Sequence, residues 1–96
     1  MICIETNINY FLPIKYDRME KDLVLRKIGA KIKEVRLSKG LSQVELVARM
    51  EISTDPNNIS RLEAGRSNLT MFTLYRISKA LEVPMKDLID VDLTQN

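Results

Sequence analysis

Gly40-Leu41-Ser42-Gln43-Val44-Glu45-Leu46-Val47-Ala48-Arg49-Met50 and, five residues later, Pro56-Asn57-Asn58-Ile59-Ser60-Arg61-Leu62-Glu63-Ala64-Gly65 decide how this chain folds. In the first stretch Ser42 is a good helix N-cap, and Glu45 three positions on completes an S-x-x-E capping box. Leu46, Val47 and Met50 supply a buried side, and the helix is expected to end near Glu51. In the second, Asp55 caps a helix whose first position is Pro56, where the missing N–H has no intrahelical partner to lose. Ile59 and Leu62 point inward, and Gly65 stops the helix. Two short helices joined by a turn form a helix-turn-helix candidate.

Upstream, Leu25, Ile28, Ile32 and Val35 recur at spacings of three, four and three, the apolar stripe of a helix from about Arg18. Gly40 ends it. Downstream, Thr70 caps a helix carrying Leu74, Ile77 and Leu81, and Pro84 opens a last short one with Leu88 and Ile89 expected inward. The polar tail over 92–96 is expected to fray. Residues 1–18 differ from the rest: Ile2, Ile4, Ile8, Tyr10, Phe11, Leu12, Ile14 and Tyr16 alternate in part, and Pro13 opposes a long central strand. They are read as an extended or disordered N-terminal arm. The expected architecture is all-α: a five-helix bundle over 19–91 between the arm and the tail.

Composition narrows the function. The 96 residues support one domain, 45% hydrophobic and 29% charged. There is no histidine and one cysteine, Cys3. That leaves no internal disulfide, no metal-ligand spacing and no histidine base. No glycine-rich phosphate loop or activated nucleophile occurs either, so the chain is not expected to be an enzyme or to bind a metal or cofactor. No apolar run approaches membrane-spanning length, and the first residues lack the basic start of a signal peptide, so a cytoplasmic placement is expected. The net charge of +2 is weak, but its distribution is uneven. Residues 26–82 hold eleven Lys and Arg against six Asp and Glu, whereas 83–96 hold one against three. A basic centre suits a phosphate-binding module, and equally a solvated surface.

The run Gly40-Leu41-Ser42-Gln43, the later Ile59-Ser60-Arg61-Leu62-Glu63-Ala64-Gly65, and the flanking Ile28–Arg36 and Asn68–Val83 segments resemble the phage repressor and Cro-like helix-turn-helix family, often called the XRE family. The resemblance covers roughly residues 26 to 90. It implies a repressor-like bundle and a transcriptional regulator bound to double-stranded DNA, as a homodimer on a pseudo-palindromic operator. Ser42 and Gln43 would hold a DNA phosphate, where free N–H groups and the positive helix end attract an anion. The Pro56–Glu63 helix would enter the major groove, with Pro56, Asn57, Ser60 and Arg61 facing bases and Asn58 near the backbone. Arg66, Asn68 and Thr70 would contact phosphate. Arg36 and Glu63 would form a partly buried structural ion pair.

Each residue also has a plainer role. Ser42 caps its helix, Asn57 and Asn58 suit a helix start, and Arg61 and Arg66 suit a solvated surface. The sequence departs from the family between the two helices. Met50–Pro56 is about two residues longer than usual and holds no glycine, so either the helix angle differs or the second helix runs longer. An alternative function is an antitoxin, with the domain on DNA and the apolar arm on a toxin. A regulator of this kind could also contact RNA polymerase.

Overall fold

The computed structural model describes residues 17–51 and 54–93. Five helices follow in order: α1 Asp17–Ser38, α2 Gln43–Met50, α3 Pro56–Glu63, α4 Met71–Leu81 and α5 Met85–Leu88. No strand occurs among the described residues. The expected arm lies outside the described residues as far as residue 16. Its last two positions belong to α1, whose first residue is Asp17. Of the expected tail, residues 94–96 also lie outside.

Three helices begin on a side-chain acceptor. Ser42 Oγ accepts the Glu45 N–H at 3.0 Å, and Glu45 Oε1 accepts the Ser42 N–H at 2.8 Å, which completes the capping box. Asp55 Oδ1 accepts the Asn57 N–H at 2.9 Å, and Thr70 Oγ1 accepts the Thr73 N–H at 3.1 Å. Such a cap stabilises a helix by about 1 kcal/mol. At the other end of α1, Leu41 N–H reaches back to Arg36 O at 3.2 Å and Gly40 N–H to Leu37 O at 2.9 Å. This paired closure turns the chain sharply and drops Leu41 into the core.

The core is a single cluster. Ile32 of α1, Leu46 of α2, Ile77 and Leu81 of α4, and Leu88 of α5 are its fully buried members. Leu41, Met50 of α2, Ile59 and Leu62 of α3, and Leu74 and Ala80 of α4 are its other buried members. Each of the larger side chains stabilises the fold by about 1.5–3 kcal/mol relative to its exposed state. Through this cluster α1 packs on α3 and α5, α2 on α3 and α4, and α4 on α5. Ile89 corrects the expectation. Leu88 is buried, but Ile89 is 49% exposed. The helix is a single turn that ends at Leu88, and Ile89 follows it as the C-cap residue, at φ −107° and ψ 8°, beyond the helical face that packs on the core. No helix among the described residues is long and apolar enough to cross a membrane.

The turn without glycine does not lengthen α2. That helix stops at Met50, and Glu51 takes the left-handed conformation at φ 58° and ψ 30°. A residue with a Cβ is disfavoured there by about 1–2 kcal/mol, while glycine adds about 0.4–1 kcal/mol of unfolded-chain entropy. Glu51→Gly is therefore expected to raise stability by about 0.5–1 kcal/mol in urea denaturation. A lower transition midpoint at unchanged slope would show that the Glu51 side chain contributes more than its backbone costs.

Candidate nucleic-acid interface

The helix-turn-helix pair is held by a buried polar network. Arg36 on α1 donates to both carboxylate oxygens of Glu63 on α3, from Nε to Oε2 at 2.7 Å and from Nη2 to Oε1 at 3.1 Å. Its Nη1 donates to Leu41 O at 2.7 Å, the carbonyl that the α1 closure has just positioned. Arg36 is 5% and Glu63 6% exposed, so the expected ion pair is present and more deeply buried than its sequence suggests. Bidentate geometry and the further bond to Leu41 O are what make such a burial tolerable.

Gln43 joins the same network. Its Nε2 donates to Glu63 Oε1 at 3.1 Å, so the amide is drawn inward, towards the end of α3. One carboxylate thus ties together α1, α2 and α3. What α2 offers an external anion is its first turn, where backbone N–H groups have no intrahelical acceptor and the helix end is positive. Ser42, at this end, is exposed with its oxygen engaged in the cap.

The Glu45 carboxyl is held below the usual carboxylate range. The largest cause is its hydrogen bond from the Ser42 backbone N–H, followed by the Ser42 hydroxyl. A slight desolvation opposes these, and the charge of Arg49 adds to them. Because the folded value is depressed, the box stabilises fully above the ordinary carboxylate range, and its contribution is lost as pH falls through the lowered value. Glu45→Gln keeps a hydrogen-bonding side chain without the titration. Its melting temperature should fall less steeply on acidification than that of the wild type. Parallel pH profiles would contradict this.

On α3, Ile59, Leu62 and Glu63 are buried, while Asn57, Ser60 and Arg61 are exposed. Positions 57, 60 and 61 are neighbours on a helix surface, so they form one polar patch facing away from the core. Asn58 is exposed too, and its Nδ2 donates to Thr54 Oγ1 at 3.1 Å, which holds it over the turn. Pro56 is half-buried at the first position of the helix. Arg66, Asn68 and Thr70 are exposed on the loop between α3 and α4. The Thr70 oxygen is occupied by its cap, and its hydroxyl donates to Thr73 Oγ1 at 2.9 Å.

Two contributions were not foreseen. Arg76 of α4 donates to Met50 O, the last carbonyl of α2, so a cation closes the negative end of that helix. Gly29 of α1 lies against the α3 backbone so closely that a Cβ there would stand 2.4 Å from Leu62 O and 2.7 Å from Glu63 O. Only the pairing of distant segments shows either of these.

Known proteins agree with this architecture. The Helix-turn-helix family matches residues 32–88. An uncharacterized HTH-type transcriptional regulator, y4dJ of Sinorhizobium fredii (strain NBRC 101917 / NGR234), is 39% identical over 62 residues, which are 65% of this chain and 78% of that protein. The control protein C.BamHI of Bacillus amyloliquefaciens is also 39% identical over 62 residues, covering 65% of this chain and 75% of that one. Among solved structures, the restriction-modification controller protein C.AhdI of Aeromonas hydrophila superposes with a TM-score of 0.62 at 28% identity. That match covers 67% of this chain and 94% of the controller protein. The chain belongs to the Cro-like (XRE-type) helix-turn-helix family of DNA-binding transcriptional regulators.

Proposed function

We propose that this regulator reads a specific operator, presenting α3 to the major groove and binding a pseudo-palindrome as a homodimer. The observation that carries the reading is the exposed Asn57–Ser60–Arg61 patch on a helix whose opposite side is fixed by the Arg36–Glu63–Gln43 network. Arginine pairs with guanine and asparagine with adenine through two hydrogen bonds, each worth about 1–3 kcal/mol of discrimination. Backbone contacts come from the first turn of α2 and from Arg66, Asn68 and Thr70, with Asn58 beside them. These fix register without reading sequence.

Dimerisation is supported by apolar side chains that a lone copy leaves in water. Met71, Phe72 and Tyr75 on α4 are exposed, as are Ile89 and Leu93 after it. The Phe72 and Tyr75 rings stack with centroids 6.3 Å apart, and the Arg76 guanidinium lies 5.5 Å from the Phe72 centroid. A grouping of this kind on a small domain marks a contact surface. The likeness to the restriction-modification controller protein C.AhdI also suggests control of a restriction–modification system as the setting. The role requires no catalysis, cofactor or metal. The antitoxin alternative rested on residues 1–18, nearly all outside the described residues, and no structural observation favours it.

Fluorescence titration with labelled duplexes tests the reading. Arg61→Ala is expected to lose about 1–3 kcal/mol of preference for the operator over its single-base variants, with non-specific binding little changed. Only weak, salt-sensitive binding by the wild type, without sequence preference, would contradict it.

A further inference from the structure

The family match begins at residue 32, but α1 begins at Asp17. Its first fifteen residues, 17–31, therefore precede the matched region and run for roughly 22 Å of helix. This extension passes the loop between α3 and α4. The contact is made at Gly65, where φ is +77° and an added Cβ would lie 2.7 Å from Arg26 Cγ and 2.8 Å from the Arg26 backbone. Arg66, already read as a phosphate contact, is the next residue along.

A concavity of about 800 Å³ opens at this junction, lined by Lys21, Asp22, Arg26, Arg66, Ser67 and Asn68 among others. Three cations meet there against one carboxylate. Lys21, Arg26 and Arg66 are all exposed, and none of them is in an ion pair among the described residues. Like charges gathered on a protein surface repel one another until an anion neutralises them. Ser67 and Asn68 add neutral hydrogen-bond donors beside the charges. The basic group is also continuous with the Arg66–Thr70 loop, so an anion chain held by that loop would run straight into it.

We propose that Lys21 and Arg26, together with Arg66, hold DNA phosphates flanking the base-contacted half-site, so that the extension of α1 lengthens the backbone footprint. This rests on the DNA-binding role proposed above. Such contacts carry no sequence information. They release counterions, and each adds about 0.9 to the slope of log affinity against log salt.

The test measures equilibrium binding of the full chain to an operator duplex from about 50 to 200 mM salt. Lys21→Ala and Arg26→Ala are each expected to lower the magnitude of the slope by about 0.9, and the double variant by about 1.8. Base preference should not change. Arg26→Lys should restore the slope, and Lys86→Ala on α5 should leave it alone. Removing the flanking base pairs from the duplex should abolish the difference between wild type and variants. Lys21 is exposed, so the melting temperature of Lys21→Ala serves as the check that the fold is intact. Wild-type slopes in Lys21→Ala and in the double variant would overturn the proposal while leaving the DNA-binding role intact. Failure of the wild type to bind any duplex would overturn both.

Discussion

Glu63→Ala is expected to lower the free energy of unfolding by about 3–5 kcal/mol and to remove operator binding at the same time. The substitution strands Arg36, a guanidinium 5% exposed, with only Leu41 O as an acceptor, and it frees the Gln43 amide. Removing one partner of a buried pair leaves an uncompensated charge, which costs far more than the pair itself contributes. A domain of this size is stable by only about 5 kcal/mol or somewhat more, so the variant should be largely unfolded when warm. Replacing both residues by apolar ones of similar volume, as in Arg36→Met with Glu63→Leu, should recover most of that stability. DNA affinity should not recover with it, because the hydrogen bonds that join α1 and α2 to the end of α3 are gone. Thermal denaturation and duplex titration of the single and double variants separate the two effects. A Glu63→Ala protein with unchanged melting and unchanged affinity would show that the network holds nothing.

Gly29→Ala should be the second severe variant, and here two effects oppose each other. Alanine is favoured over glycine inside a helix by about 1 kcal/mol. Against that, the new methyl would stand 2.4 Å from Leu62 O and 2.7 Å from Glu63 O, both backbone atoms with no rotamer to move. Relief requires α1 and α3 to separate, which pulls the Arg36–Glu63 bonds apart and opens the core between Ile32 and Leu62. Overpacking of this kind costs about 1–3 kcal/mol and occasionally more, so the clash wins. We expect a net loss of about 2 kcal/mol or more in urea denaturation, with weakened operator binding. Gly29→Ala at or above wild-type stability would mean that the two helices are not in such close contact in solution.

These two variants also mark where the sequence is readable and where it is not. The helix starts were legible because capping is local: Ser42 with Glu45, Asp55 with the Asn57 N–H, and Thr70 with the Thr73 N–H all lie within three residues. The inward faces of α2, α3 and α4 followed from helical spacing for the same reason. The Arg36–Glu63 pair spans 27 positions and came from the family resemblance, not from periodicity. Gly29 carried no readable signal, since the atoms it must avoid belong to the backbone of another helix. The family resemblance gives Gln43 a phosphate-binding role, in keeping with the pull of a helix start on anions, and what no local pattern shows is that its side-chain amide also reaches a carboxylate 20 positions away. Ile89 misled because its apolar character is local, while the length of α5 is set by packing. The lengthened turn was recognised as a departure, but its resolution through a left-handed Glu51 could not be read from composition.

Selection of bound duplexes from a random pool tests the central claim most directly. The account predicts enrichment of a pseudo-palindrome whose half-sites lie about one helical turn, roughly 34 Å, apart. Selection with Arg61→Ala should relax preference at one symmetry-related position in each half. A wild-type pool that stays random after repeated rounds, or one whose enriched site is unchanged by Arg61→Ala and Asn57→Ala together, would contradict the reading of α3 as the helix that reads DNA.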